Sequence, residues 1–289
     1  MAETPASFGT ETQNQSAQRM YNARAPKYED SWHPAYSESF IASVPLKPGD
    51  RVLDLCCGTG LEAFLAAATV GEDGEIIGVD VSGGMLEQLR GRQLREPGLG
   101  RRIKALHHDV TDLGALAAVE KGSFDAVLCS CAFVLFDDPA GVMAHWREYL
   151  RPGGLMAIDI PGEHNLRPGL VLEQVAKGLG MNYPSNRSYI TSSDDFGQFI
   201  NEQGMEMEGM ITLYRMSGKG SVFYGADEAD ERFEEVVNSS LTQNAVLDDF
   251  KAKAKPLFRE EWERIAVDGK VESTDISYIY IARKPELVS

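Results

Sequence analysis

The sequence predicts an α/β fold built on a doubly wound, mostly parallel sheet. Five short apolar runs alternate with amphipathic segments between residues 51 and 160, and turn residues separate them. Continuous apolar runs are typical of strands that helices cover on both faces of a sheet. Two further strand-like runs follow beyond residue 160, so the expected sheet has seven strands.

The parallel part of the sheet is expected between residues 51 and 160. The apolar runs predict strands at Arg51–Cys56, Ile76–Val79, Ile103–His107, Ala126–Cys131 and Leu155–Ile160. Helices are expected between them, at Leu61–Val70, from Ser82 to Arg95, at Leu113–Val119 and from Pro139 to Leu150. Serine is a favoured helix N-cap and proline is favoured in the first turn, which supports two of these starts.

The segment after residue 160 predicts an antiparallel C-terminal ending to the sheet. One more helix is expected at Asp194–Gln203, and the runs Met205–Met216 and Ile276–Lys284 alternate as strands do. The stretch Ser217–Asp275 between them predicts a helical insertion, because apolar residues recur there at helical spacing, at Phe233, Val236, Val237 and Leu241, at Leu247 and Phe250, and at Leu257, Phe258, Trp262 and Ile265. Four aromatic residues of this part of the chain either wall a substrate pocket or pack a core, namely Tyr183, Phe223, Phe258 and Trp262.

The N-terminal residues precede the predicted sheet and divide into two parts. Residues 1–18 are polar, and we expect a disordered lead there and not a signal peptide. Residues 19–48 are expected to form N-terminal cap helices. Residues 49–289 then form one domain, which includes the helical insertion at 217–275.

Composition and charge narrow the class of partner. The chain has 289 residues, is 43% hydrophobic, and carries a net charge of −16, which opposes binding to nucleic acid and to anionic membranes. No apolar run is long enough to span a bilayer, so a cytoplasmic protein is expected. The CC and CxC spacings of the four cysteines, Cys56, Cys57, Cys129 and Cys131, differ from zinc-binding patterns. We therefore expect reduced thiols and no metal.

A glycine-rich turn follows the first predicted strand and indicates a cofactor site. The sequence DLCCGTGLEA (54–63) contains G-x-G-x-x-A, and Asp80 closes the second strand, where a carboxylate can accept hydrogen bonds from ribose hydroxyls. This pattern fits a dinucleotide and other adenosine cofactors alike. Asp54 favours the second class, because a carboxylate would repel a pyrophosphate but attract an ammonium group. S-adenosylmethionine has such an ammonium group and no phosphate.

Asp109 follows the third predicted strand and has two possible roles. Its carboxylate would accept a hydrogen bond from an adenine amino group, or it would cap the segment that starts at Thr111.

The ordered motifs VLDLCCGTG (52–60), GVDVS (78–82), HHDVTDL (107–113), FDAVLCSCAF (124–133) and LRPGG (150–154) extend the pattern. Together they resemble class I S-adenosylmethionine-dependent methyltransferases, whose sheet is Rossmann-like. The segment MYNARAPKYEDSW (20–32) is similar to the cap helix of UbiE-like enzymes and of small-molecule tailoring methyltransferases of secondary metabolism.

The resemblance implies a role in cofactor binding for twelve residues. The methionine end would contact Asp54, Cys56, Gly58 and Gly60, with Cys129 and Ser130 below it. The ribose and adenine would contact Asp80, Val81, Asp109 and Val110. Tyr21 and Tyr28 would cover the cofactor.

Two residues or segments depart from the family pattern. Cys56 occupies a position where the family often has glycine, and LMAIDIPGEHN (155–165) differs from quinone methyltransferases, which argues against a quinone substrate.

The predicted reaction is methyl transfer to an O, N, S or C nucleophile of a soluble small molecule, such as a secondary-metabolite intermediate. The candidate bases are His164, which follows the fifth strand, His33, Glu163 and Tyr189. Three alternatives stay open: a methyltransferase-like regulator that acts on a protein partner, a cyclase that uses S-adenosylmethionine without methyl transfer, and a nicotinamide-dependent dehydrogenase. The sequence leaves the oligomeric state open.

Overall fold

The computed structural model describes residues 11–190, 192–218, 220–239, 241–242 and 248–286. Within these ranges the chain forms strands β1 (Arg51–Leu55), β2 (Glu75–Asp80), β3 (Ile103–His107), β4 (Phe124–Cys129), β5 (Leu150–Pro161), β6 (Glu206–Tyr214), β7 (Val222–Gly225), β8 (Lys270–Ser273) and β9 (Ile276–Arg283).

Helices surround these strands on both sides. They are α1 (Gln13–Arg24), α2 (His33–Ser43), α3 (Leu61–Val70), α4 (Gly83–Arg95), α5 (Pro97–Gly100), α6 (Pro139–Arg147), α7 (Arg167–Gly178), α8 (Ser193–Glu202), α9 (Ala229–Val237) and α10 (Asp248–Arg264). In the described ranges, no helix is both long and apolar enough to cross a membrane.

The predicted mostly parallel seven-stranded sheet is confirmed. Its strand order is β3-β2-β1-β4-β5-β9-β6, and β1 to β5 pair in parallel. Strand β9 is antiparallel to both β5 and β6, between which it lies. The order reverses between β1 and β4, and a crevice at such a reversal is where open α/β sheets bind ligands.

The two faces of the sheet are covered as the apolar runs predict. Leu53 of β1 joins a cluster with Trp146 of α6, and its neighbour Val52 joins a cluster on the opposite face with Phe64 of α3. Successive side chains of a strand point to opposite faces, so an uninterrupted apolar run supplies both clusters. The N-cap of Ser82 is present as well, because its Oγ accepts a hydrogen bond from the backbone N–H of Met85 at 3.2 Å.

Several elements differ from the sequence-based expectations. The stretch expected as the helix Leu113–Val119 contains only a 3₁₀ turn at Leu113–Ala115. Its two end residues, Leu113 and Val119, are both buried, and this short stretch reaches the core without a regular helix. Helix α6 stops at Arg147 because Leu150 already pairs with Phe124 at the start of β5.

The N-terminal helix begins inside the segment expected to be a disordered lead. Helix α1 starts at Gln13, where the Thr12 side chain and Gln15 form a reciprocal capping box. The part of α1 from residue 19 onward lies within the predicted cap helices, whereas the sequence shows little sign of its first turns, since only Ser16 and Met20 of the helix are buried. Residues 1–10 lie outside the described residues.

The segment 217–275 contains helices, as expected, and also a small sheet. Strands β7 and β8 pair antiparallel at its two ends, and helices α9 and α10 lie between them. Helix α7, which the sequence analysis did not predict, packs against both helices. Their shared core buries Phe233, Phe258 and Trp262, with the rings of Phe258 and Trp262 stacked at 5.8 Å. Leu247 lies outside the described residues.

The α7–α9–α10 core shows which of the four aromatic residues pack a core and which could wall a pocket. Phe258 and Trp262 are fully buried and pack a core, so they do not wall a pocket. Phe223 is 61% exposed, and Tyr183 borders a small cavity beside α1.

Replacing Phe258 tests the importance of the α7–α9–α10 core. Phe258→Ala should lower the free energy of unfolding by about 3–5 kcal/mol, because it removes a fully buried ring and leaves a cavity. Urea denaturation measures the change. The neighbouring Leu257 is 40% exposed, so Leu257→Ala is a matched control that should cost less than about 1 kcal/mol. Equal losses for the two variants would contradict this account of the core.

Candidate cofactor-binding site

A cavity that is partly open to solvent lies at the carboxyl ends of β1, β2, β3 and β4, with α1 along one side. Nine of the twelve residues assigned to cofactor binding line it, namely Tyr21, Tyr28, Cys56, Gly58, Asp80, Val81, Asp109, Val110 and Ser130. The structure therefore brings together residues from five separate segments of the chain. Asp54, Gly60 and Cys129 are not part of the lining; Asp54 and Cys129 are buried beside it.

The turn after β1 adopts backbone conformations that explain its glycines. Gly58 and Gly60 both have positive φ angles, of 54° and 85°. A Cβ atom at Gly60 would come within 2.9 Å of the Leu89 side chain, whereas one at Gly58 would meet open space. Gly60 thus permits close packing of the turn against α4, and Gly58 leaves room at the cavity.

Asp80 connects two of the loops that form the cavity. Its Oδ2 accepts a hydrogen bond from the Gly58 backbone N–H at 2.9 Å, and its Oδ1 accepts one from the Ser82 backbone N–H at 2.7 Å. Burial raises the pKa of this carboxyl above its ordinary value, although these hydrogen bonds oppose the increase. The carboxylate therefore both holds the glycine turn and faces the cavity.

The methionine end assigned by the resemblance is acidic and incompletely hydrogen-bonded. Asp54 is 1% exposed, and its Oδ2 has no hydrogen-bond partner among the described residues; the same is true of Thr59 Oγ1. Burial raises the pKa of Asp54 well above its usual range, and the nearby carboxylate of Glu62 adds to the increase. A buried polar atom without a partner is costly, so a donor group from a ligand would stabilise this arrangement. Because the side chains at this end of the site are acidic, a cationic donor such as an ammonium group would fit best.

Asp109 makes hydrogen bonds that agree with both of its expected roles. Its Oδ1 accepts from the Thr111 backbone N–H at 2.9 Å, as a turn-capping residue would. Its Oδ2 faces the cavity side and accepts from Asn14 Nδ2 of α1 at 2.8 Å. Burial alone would raise the pKa of Asp109, but the hydrogen bonds from Thr111 and Asn14 outweigh it and lower the pKa. The carboxylate therefore stays charged.

Two asparagines that the sequence analysis missed attach α1 to the cavity. Besides the bond from Asn14 to Asp109, Asn22 Oδ1 accepts from Ser82 Oγ at 2.8 Å and from the Gly84 backbone N–H at 2.9 Å. Their partners lie 60 or more residues away in the chain, so no local pattern marks them. Helix α1 consequently covers the cavity by contacts with two of its loops.

His33 lies beside a smaller cavity that shares Tyr28, Cys56, Gly58, Ser130 and Cys131 with the main one. It is buried, and its Nδ1 is 2.6 Å from Ser31 Oγ. Burial, and then the positive charge of Arg24, lowers the pKa of His33 to about 4. The imidazole is therefore neutral near pH 7 and has a nitrogen lone pair.

The other candidate bases lie elsewhere. His164 is exposed and lines a separate cavity with Arg167, Phe223 and Lys270. Glu163 accepts a hydrogen bond from the Tyr278 hydroxyl at 3.2 Å. Tyr189 packs against aromatic rings of the core below the sheet edge. None of the three lines the main cavity.

Asp159 is a buried acid that the sequence analysis did not single out. It lies in β5, is 3% exposed, and hydrogen-bonds the Tyr36 hydroxyl of α2. Its Oδ1 accepts from the backbone N–H of the cavity-lining Cys131 at 2.6 Å. Burial raises the pKa of Asp159 to about 7. An acidic residue inside the apolar run LMAIDIP was the available signal, because a buried charge needs partners.

The strand order and the cavity at its reversal point are those of an open, Rossmann-like α/β sheet. A family model described as a methyltransferase domain matches residues 52–154, which carry the motifs of the resemblance.

Relatives with assigned names share this part of the chain. A demethylmenaquinone methyltransferase of Symbiobacterium thermophilum is 46% identical over 68 residues, which are 24% of this chain and 26% of the relative. The aklanonic acid methyltransferase DauC of Streptomyces sp. strain C5 is 36% identical over 113 residues, 39% of this chain and 49% of the relative. The chain thus matches between a quarter and a half of the length of these relatives.

The similarity of fold extends much further along the chain. The crystal structure of the [4+2]-cyclase SpnF superposes with a TM-score of 0.59 and 17% sequence identity, and the match covers 98% of each chain. At this level of identity the comparison concerns the fold alone.

The pH dependence of stability tests the environment of Asp159. The pKa of its carboxyl rises from 3.8 to about 7 on folding, so between these values the folded state holds a proton that the unfolded state has lost. This group therefore makes the folded state less stable as the pH rises toward 7, and its effect is constant above that.

The variant Asp159→Asn removes this titration and leaves the other buried acids in place. Between about pH 5 and pH 8 the wild type should lose roughly 2–3 kcal/mol of unfolding free energy relative to the variant. Denaturant unfolding of both proteins across this range measures the difference. A difference that does not change with pH would show that the carboxyl has an ordinary pKa.

Proposed function

We propose that the protein transfers a methyl group from S-adenosylmethionine to a nucleophile of a small molecule. The observation that carries the proposal is the buried Asp54 carboxylate, which has an oxygen without a hydrogen-bond partner among the described residues, next to a glycine turn. With Glu62 and Asp80 it forms an acidic end of the site that suits an ammonium group and opposes a pyrophosphate. This favours S-adenosylmethionine over a nicotinamide dinucleotide.

The residues present fit this cofactor along its whole length. Asp54 and the turn at Cys56 and Gly58 would hold the methionine end, and Asp80 would accept hydrogen bonds from the ribose. Asp109, Val110 and Val81 would contact the adenine, Cys129 and Ser130 would close the site below the methionine, and Tyr21 and Tyr28 would cover it. Gly60 would act by letting the turn pack closely on α4. The bound cofactor supplies an electrophilic methyl group on a sulfonium cation.

The contribution of the chain to the reaction is mainly orientation. Asn14 and Asn22 attach helix α1 over the cavity. This covering helix would hold the methyl group and its acceptor together and exclude water. His33 remains the candidate base for acceptors that must lose a proton, because it is neutral and lies beside the cavity. His164 lies in a separate cavity and has no such position.

The cavity also limits the class of acceptor. In the described part of the chain, its charged lining residues are Asp80 and Asp109, and no lysine, arginine or histidine lines it. A neutral or cationic acceptor therefore fits better than a phosphate or a carboxylate. The name of the aklanonic acid methyltransferase supports a secondary-metabolite intermediate as the substrate class. The cover that α1 forms along one side of the cavity favours such a small molecule over a protein side chain.

Two further proposals concern the chain as a whole. We infer that the N-terminal helices up to residue 48, which begin with α1 at Gln13 and not at residue 19, cap a methyltransferase domain that extends from residue 49 to residue 289. The four cysteines carry free thiols, which supports a reducing compartment such as the cytoplasm.

Transfer of isotope label tests the proposed reaction. Purified protein is incubated with methyl-labelled S-adenosylmethionine and a metabolite extract, and label is counted in the small-molecule and macromolecular fractions. Label should enter the small-molecule fraction, and Asp80→Ala should reduce it at least tenfold because the glycine turn and the ribose lose their shared partner.

Glu75→Gln is the matched control, because Glu75 lies in the same strand but is exposed. This variant should transfer methyl groups as the wild type does. Label found only in macromolecules would instead support a regulator that modifies a protein. Cofactor binding without any label transfer would support a cyclase.

A pair of histidine variants tests the base. With an acceptor identified by the labelling experiment, His33→Gln should lower kcat at least tenfold if the acceptor loses a proton, while His164→Gln should leave kcat unchanged. Steady-state kinetics with saturating cofactor measures both. The reverse result would place the base after β5 and contradict the role given to His33.

A further inference from the structure

The wall of the cavity after β4 holds a residue in an unfavourable backbone conformation. Cys131 has a φ angle of 54°, in the left-handed region that side chains with a Cβ atom rarely adopt. It lines both the main cavity and the smaller one beside His33. Such a conformation persists only where neighbouring groups stabilise it.

Asp159 supplies that stabilisation from behind the wall. Its Oδ1 accepts from the Cys131 backbone N–H at 2.6 Å, and its Oδ2 lies 3.7 Å from the Cys131 thiol. Hydrogen bonds to a carboxylate are stronger than those between neutral groups, and this one is shielded from solvent. The same carboxylate thus contacts both the backbone and the side chain of Cys131.

The carboxylate also connects the wall to the N-terminal cap. Tyr36 of α2 hydrogen-bonds Asp159 Oδ2 and lies 3.4 Å from Ser277 Oγ of β9. Asp159 therefore joins α2 and β5 to the segment after β4. That segment lines the main cavity, and α2 lines the smaller one beside it.

We propose that Asp159 is a positioning residue for the methyl donor: it holds Cys131 in the left-handed conformation that shapes the methionine end of the cavity. The proposal rests on the function inferred above. Asp159 itself does not line the cavity, so it acts through Cys131.

Binding of S-adenosylhomocysteine, measured by isothermal titration calorimetry, tests this role without an acceptor. Asp159→Asn should weaken binding roughly tenfold, which corresponds to about 1.4 kcal/mol. The double variant Asp159→Asn with Cys131→Gly should regain most of the lost affinity, because glycine adopts a positive φ without assistance. A purely structural role for Asp159 predicts no such recovery.

Asp275→Asn is the matched control. Asp275 is also buried, and it accepts hydrogen bonds from the backbone N–H groups of Ser217 and Gly220 in a turn that does not line the cavity. Its replacement should leave the affinity for S-adenosylhomocysteine unchanged. If Asp159→Asn does not fold, Tyr36→Phe replaces it, since this change removes one donor to the same carboxylate; Cys131→Gly should again restore affinity.

The outcomes separate this inference from the proposed function. Wild-type protein that does not bind S-adenosylhomocysteine overturns both. Wild-type binding with an equally strong Asp159→Asn variant overturns the positioning role alone. A double variant as weak as Asp159→Asn, or an equal loss in Asp275→Asn, also overturns it.

Discussion

The hydrogen bonds that Asp80 accepts from two loops are the contacts on which the site depends. Gly58 belongs to the turn after β1 and Ser82 ends the short loop between β2 and α4, and the two are joined through one carboxylate. These loops are anchored by adjacent parallel strands, which fix the positions of their ends. By joining the two loops, the carboxylate fixes the shape of the cavity between them. Helix α1 is attached to this cavity through Ser82 and Gly84.

Burial of negative charge is the second constraint on this molecule. Asp54, Glu62 and Asp80 lie near one another at the carboxyl ends of β1 and β2, and the negative charges of Glu62 and Asp80 add to the cost of burying an ionised Asp54. Among the residues that the structure describes, no basic side chain lines the cavity to neutralise them. In the proposed function, the ammonium group of the cofactor would offset this negative charge. The free protein would then be less stable than one with an apolar site, in return for selectivity toward a positively charged ligand.

The parts of the fold that the sequence predicts are those that local chemistry determines. The strands β1 to β5 are continuous apolar runs, Ser82 is an N-cap, and the glycine turn has residues suited to positive φ angles. The start of helix α1, before residue 19, escapes prediction because few of the helix's residues are buried, and β7 and β8 escape because each has only four residues. Their stability comes from partners distant in the chain.

The same distinction applies to the site. Asp80, Asp109 and the turn residues follow strands, so their positions at one edge of the sheet follow from the strand assignment. Asn14, Asn22 and Asp159 become functional candidates only through contacts with residues far away in sequence. His164 follows β5 as directly as Asp109 follows β3, yet it lines a different cavity. Position after a strand therefore identifies the edge but not the direction in which the side chain points.

The place of β9 in the sheet has a consequence for biosynthesis. Strand β6 pairs only with β9 in the seven-stranded sheet, and β9 is separated from it by the segment that contains α9 and α10. During translation β6 therefore leaves the ribosome long before its partner exists, and β5 has an unpaired edge for the same period. Helices α9 and α10 are translated in this interval and join α7, which precedes β6 in the chain, beside an unfinished sheet. Closing the sheet is thus a late and strongly non-local step, and an exposed strand edge in the nascent chain is a template for mispairing that chaperones would have to shield.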